Sequence, residues 1–258
     1  MTSTAARTGW LVVGSIAAVA TLVFGTVQAV SLLASTTEET TSSFEGARHL
    51  VVRNDAGSVR LSPSPTGTIT VRREETRGLS KPKYRERMDG DRLVLDADCP
   101  PAFSSYCDVV LEIAVPAGVD VDASGGGGSV RAEGLDADLR LRSSGGSVTV
   151  VGGGPSLDLD SSGGSVNVAA GRAATVKARS SGGSVRVRSA IVPATIDARS
   201  SGGGVTVELP DDPTAYRVDA TSSGGSARTQ VRTDPTSDRR ITAHSSGGSV
   251  TVRYLSPT

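Results

Sequence analysis

The chain has 258 residues, more than one average domain and fewer than two. Its 27 basic and 27 acidic side chains cancel, so the basic footprint of a nucleic-acid binder is missing and no nucleic-acid partner is expected. Aromatics are only 3% and histidines number two, which excludes a core built on large rings, a sugar-binding surface paved with them, and histidine-rich metal or acid–base chemistry.

Between Arg7 and Glu38 there is no charged residue. The apolar run from Gly9 to Ala34 has 26 residues, which is about 39 Å of helix against a hydrocarbon core of about 30 Å. Trp10 stands at its start, where an amphipathic ring suits the interface. Arg7 precedes the run and Glu38 and Glu39 follow it, so the positive-inside bias keeps the N-terminus in the cytoplasm. The expected order is a cytoplasmic tail (1–8), a transmembrane signal anchor (9–34), a linker (35–44) and an extracytoplasmic body (45–258). That makes a single-pass protein of the cell membrane, with the lipid bilayer as its first partner. A cleaved signal peptide is the competing reading, with Val27-Gln28-Ala29 as a small-residue cleavage site. The run is about twice the usual apolar region of a signal peptide, and a single Arg precedes it. Either reading places the body outside the cytoplasm.

The body is a repeat. Its first copy has Leu50 and Val52, then Asn54-Asp55-Ala56-Gly57-Ser58, then Val59 and Leu61. An insertion follows at 62–118. It carries three predicted strands, Thr68–Arg73, Arg92–Asp98 and Asp108–Val115, with the polar stretch Glu74–Asp91 read as an exposed loop. Cys99 and Cys107 bracket seven residues of the insertion. In a translocated protein two cysteines this close are expected to form a disulfide; no metal or redox role follows from them.

Beyond the insertion, glycine pairs begin at 127, 145, 163, 182, 202, 224 and 247, with spacings of 18, 18, 19, 20, 22 and 23. Most sit in the motif Ser-Ser-Gly-Gly-Ser-Val. Six and four residues before each pair the chain is apolar, as in Leu157 and Leu159 or Ile196 and Ala198. Three and five residues after it stand pairs such as Val166 and Val168. This is period-two alternation on both sides of a glycine turn, the pattern of half-buried strands. No single copy can bury its apolar face, whereas stacked copies share a continuous core. The expected fold is all-β: a β-solenoid of about eight short coils behind one N-terminal transmembrane helix. Glycine at each corner supplies a positive φ or a close backbone approach, and the serines are expected to form a ladder, each facing its equivalent in the next coil.

Outward positions support in-register stacking. One column reads Asp122, Arg140, Asp158, Lys177 and Asp197, and another Ser124, Arg142, Asp160, Arg179 and Arg199. Stacked neighbours of opposite sign contribute about 0.2–1 kcal/mol per pair, while like charges oppose stacking.

Three stretches together resemble a bacterial family, DUF4097, also called the "putative adhesin" or toast-rack domain. They are Val51-Val52-Arg53-Asn54-Asp55-Ala56-Gly57-Ser58-Val59, the run Leu111-Glu112-Ile113-Ala114-Val115-Pro116-Ala117-Gly118, and the recurring Ser-Ser-Gly-Gly-Ser-Val corners. The family more often has Ser-Gly-Asp-Val at the corner. The resemblance covers about residues 45–254. It implies a membrane-anchored, envelope-exposed β-strand repeat, sometimes tied to envelope-stress signalling, and it brings no catalytic residue to this chain.

Chemistry is sparse. Calcium β-rolls carry an Asp in each glycine-rich turn, and these turns have none. His49 and His244 fall in the first and last copies and are expected to lie far apart. Clustered Asp122, Asp158, Asp160 and Asp197 resemble the carboxylates of a polysaccharide-cleaving groove, but their alternation with basic residues reads as ion-pair columns. No catalytic residue, cofactor or metal is expected, and the chain is not read as an enzyme. The expected function is a non-enzymatic, adhesin-like binding module that contacts cell-wall polymer or envelope proteins through variable corners and outward strand positions. A scaffold or sensor acting through other membrane proteins is the alternative, and end-to-end stacking into oligomers a third.

Overall fold

A computed structural model describes residues 36–77, 81–100 and 107–255. The tail and the apolar run at 9–34 lie outside the described residues; among those described, no helix is long and apolar enough to cross a membrane.

The described residues form 21 strands. The N-terminal part holds β1 (Thr36–Phe44), β2 (His49–Asn54), β3 (Val59–Pro63), β4 (Ile69–Arg77), β5 (Lys83–Asp89), β6 (Arg92–Asp98) and β7 (Asp108–Val115). The middle holds β8 (Asp120–Gly125), β9 (Val130–Glu133), β10 (Leu139–Ser143), β11 (Val148–Val151), β12 (Ser156–Ser161), β13 (Val166–Gly171), β14 (Thr175–Ser180) and β15 (Val185–Ser189). The C-terminal part holds β16 (Thr195–Ser200), β17 (Val205–Leu209), β18 (Arg217–Ser222), β19 (Ala227–Gln230), β20 (Arg240–Ser245) and β21 (Val250–Tyr254).

Each glycine corner joins one strand of a 10-stranded sheet to one strand of an 11-stranded sheet. Equivalent residues stack in parallel register, as in Leu139 beside Leu157 and Val148 beside Val166. The alternating Val, Leu, Ile and Ala point between the sheets and are buried in one continuous core, except in the outermost β18/β19 coil, where Val218 and Ala220 are half-buried and Ala227 is exposed. The fold is therefore all-β and solenoid-like.

Four expectations change. First, the insertion contains a ninth coil: β6 and β7 stack parallel on β2 and β3. Its corner is closed by the Cys99–Cys107 disulfide, Cα–Cα 6.0 Å, instead of by glycine. Second, the stretch read as a loop after Glu74 extends β4 and forms β5, which pairs antiparallel with β6. Its charges misled, because an outermost strand with solvent on one edge tolerates them. Third, the stretch read as linker folds as β1, antiparallel to β4 over nine residue pairs. Its threonines suit an extended, exposed strand. Fourth, chain order and stacking order part at both ends. The first coil lies between β6/β7 and β8/β9, and the last coil, β20/β21, is inserted between β16/β17 and β18/β19.

The serine that follows the glycine pair forms the expected ladder, Ser147 N–H donating to Ser129 Oγ at 3.3 Å and Ser165 N–H to Ser147 Oγ at 3.2 Å. The first serine of the motif instead reaches backbone with its hydroxyl, and it is buried in every such coil except β18/β19, where Ser222 is half-buried. Ser180 Oγ donates to the Gly164 carbonyl of the neighbouring coil at 2.8 Å and accepts from Gly183 N–H at 2.9 Å. Asn54 does this work in the first coil, donating to the Ser58 and Val109 carbonyls. The glycine pairs do not have positive φ. Their need is space: a Cβ on Gly164 would lie 2.5 Å from backbone atoms of Gly146.

Candidate binding surface

The outward face of the 10-stranded sheet carries the charge columns in the register expected. Arg140 stands between Asp122 and Asp158, and Lys177 between Asp158 and Asp197. The ion pairs run both along and across the columns. Arg140 Nε lies 3.3 Å from Asp158 and Arg142 Nη1 3.5 Å from Asp122. Asp197 takes Arg179 at 3.1 Å and Arg199 at 2.6 Å. Most of these side chains are about half exposed, so each pair contributes at most about 1 kcal/mol, and the face remains open to contact.

At one end of this face the surface dips into a groove of about 710 Å³. Asp89 and Asp91 from the β5–β6 turn, Asp120, Asp122, Asp138 and Asp158 line it, opposed by His49, Arg92 and Arg140. His49 Nδ1 is 3.7 Å from Asp120. The sequence column reaches this groove through Asp122, Arg140 and Asp158, whereas Asp120 and Asp138, seven before their glycine pairs, lie two residues beyond the column tracked. Asp89 and Asp91 carried no signal, since their place depends on β5 being a strand. His49 and His244 are well separated, on strands six places apart in the sheet, roughly 29 Å at 4.8 Å per strand. His244 Nδ1 is engaged with Thr221 Oγ1 at 2.7 Å. Among the described residues no group of three or more His, Cys, Asp or Glu is placed to hold a metal ion.

The variable corners form a second depression of about 660 Å³, lined by Gly134, Leu135, Asp136, Gly152-Gly153-Gly154, Pro155 and Arg172. Two ion networks lie on the other sheet. Arg72 grips Glu39 with two hydrogen bonds of 2.6 and 3.0 Å and also reaches Glu112, which Arg60 holds at 3.0 Å. The Arg72 hydrogen bond and charge keep the Glu39 carboxyl below the usual range. Glu208, 6% exposed, is held by Arg188 at 3.1 Å and Arg253 at 2.6 Å.

The corner motif, the parallel register and the two-sheet stack fall together in one span. Residues 119–255, more than half of the chain, match the family described as Toastrack DUF4097. The chain belongs to the toastrack family. The match starts at the doorstep of β8, so β1–β7, which include the disulfide coil and one wall of the acidic groove, precede it.

The fold is shared by a solved structure. A "putative adhesin" from Bacteroides fragilis is 15% identical, with a TM-score of 0.55 over 85% of this chain and 97% of its own. A "putative cell adhesion protein" from Clostridium sporogenes is 12% identical, with a TM-score of 0.44 over 85% of this chain and all of its own. No curated protein matches the chain.

Proposed function

We propose that this toastrack chain is a membrane-anchored, non-enzymatic binding module of adhesin type, displayed outside the cell membrane by the apolar run at 9–34. Its partner is cell-wall polymer or another envelope protein. The observation that carries the reading is the sheet face on which alternating charges stand in register at the strand spacing. A stacked sheet holds these groups at fixed intervals, so a flat or repetitive charged partner meets many weak contacts at once with little ordering cost. The word adhesin in the names of similar structures points the same way.

The test is sedimentation of residues 36–258, oxidised, with purified cell walls. Saturable binding that falls with salt is expected, weakened further by replacing Asp122, Arg140 and Asp158 together with neutral residues. A fragment with an intact β spectrum that stays in the supernatant sinks the wall-binding reading. Crosslinking of the anchored chain to a membrane protein would then favour the scaffold or sensor reading.

A further inference from the structure

A two-sheet stack has four edges, and three of them are blunted. β5 carries Lys83, Arg85, Glu86, Arg87 and Asp89 among seven residues. β19 has only four residues. β18 has the 231–239 excursion over its N-terminal end, through the Tyr216–Thr233 bridge, and carries Arg217 and Asp219. Such charges, short strands and covers suppress pairing with another chain. The fourth edge is less protected, its only charges being Glu38 and Glu39. β1 is nine residues long, regular, free of Pro, Lys and bulge, and among the described residues it pairs on one side only, with β4.

We propose that β1 is the docking edge for a second copy of this chain, the two β1 strands pairing antiparallel across a two-fold axis. The β1 sequence is complementary to itself in that arrangement. Full overlap of Thr36–Phe44 with its copy sets Thr40 opposite Thr40, Glu39 opposite Thr41, Glu38 opposite Ser42 and Thr37 opposite Ser43. No carboxylate faces a carboxylate. Slipping the register by two or three residues toward the N-terminus sets Glu39 against Glu39 or against Glu38, which like-charge repulsion disfavours. The pairing would join two 11-stranded sheets edge to edge and satisfy a row of backbone groups, about 30 Å long, that have no strand partner among the described residues.

Cysteine scanning of the full chain in its membrane tests this. The two native cysteines are bonded to each other, so introduced thiols act alone. Residues directly opposite in an antiparallel pair have Cβ atoms about 4.5–5.5 Å apart, and only position 40 faces itself. Thr40→Cys is expected to give an oxidised covalent dimer in several-fold higher yield than Thr37→Cys or Ser43→Cys, whose own copies sit about 20 Å apart. Thr41→Glu provides the second arm. Its carboxylate lies beside Arg72 within the copy, which keeps β1 folded, yet it faces Glu39 of the partner twice across the axis. Added to Thr40→Cys, it is expected to cut the dimer yield several-fold. Equal crosslinking at 37, 40 and 43 would mean random collision or association through the N-terminal segment alone. No crosslinking at 40 would mean that the edge is free or covered by residues 1–35. Either result overturns the proposal.

Discussion

Glycine in this chain is a matter of clearance between coils, and the two glycines of Gly127 and Gly164 separate the effects. A Cβ on Gly164 meets the Gly146 backbone of the coil beside it, while one on Gly127 meets nothing within 4 Å. Gly164→Ala is expected to destabilise the fold by about 1–3 kcal/mol, the usual cost of overpacking against atoms that cannot move aside. Gly127→Ala should change the urea midpoint little, and equal losses at the two positions would refute the clearance argument. Glu208 is the other residue on which much depends. Burial pushes its carboxyl up, but hydrogen bonds from Arg253 and Arg188 and their charges outweigh that and hold it below its ordinary value. A lowered folded value means that its contribution is complete above the unfolded value of about 4.3 and is lost as pH falls through the folded one. Glu208→Gln should therefore cost about 1–3 kcal/mol at neutral pH. In urea titrations the gap from the parent chain should narrow once the medium is acidified below the carboxylate range. A gap that is unchanged in acid would show that packing, not charge, sets the loss.

Coils were legible in the sequence wherever the corner motif repeats, because alternation fixes which side chains face the core and glycine marks each bend. The coil of β6 and β7 was not, although both its strands were predicted. Its corner carries Cys99 and Cys107 in place of glycine, so the template search passed over it. β1 and β5 were hidden for a different reason: edge strands have no core face to impose an apolar period, and Thr36–Phe44 reads as polar chain. The acidic groove shares that blindness, since one of its walls is the β5–β6 turn. The disulfide coil also carries a prediction. Cys99 and Cys107 are 8 residues apart in sequence, and closing a loop of that size stabilises by about 2–3 kcal/mol in the chain-entropy view. Reduction, or a Cys99→Ser/Cys107→Ser double variant, should lower the denaturation midpoint accordingly, with the family-matched coils retaining their β spectrum. Collapse of the whole spectrum under native conditions would show instead that the disulfide coil is the keystone of the stack.

At the scale of the molecule, stacking order decides how the chain can fold. Coils β8/β9 to β16/β17 stack in chain order, with partners 18 to 20 residues apart, as in Leu139 beside Leu157 or Thr175 beside Thr195. Both ends break that rule. Thr195 pairs with Arg240, 45 residues on, and His49 pairs with Asp120, 71 residues on. Closing a longer loop costs more entropy before any contact rewards it, and non-local pairing is slow. The last coil must also enter between β16/β17 and a β18/β19 coil that precedes it in the chain, so β18/β19 cannot settle on the β16/β17 edge without being displaced. Burial follows stacking order and not chain order: Ile241, Ala243, Val250 and Val252 of the last coil are as fully buried as Leu159 or Val168 of the middle, while β18 and β19 are largely exposed. Pulse-labelled hydrogen exchange during refolding, with the disulfide kept oxidised, separates the two. Amides of β10–β15 are expected to gain protection first, and those of β20 and β21 measurably later despite equal burial in the finished stack. Simultaneous protection would mean that the coils assemble as one cooperative unit, and that interleaved ends impose no kinetic order on a toastrack.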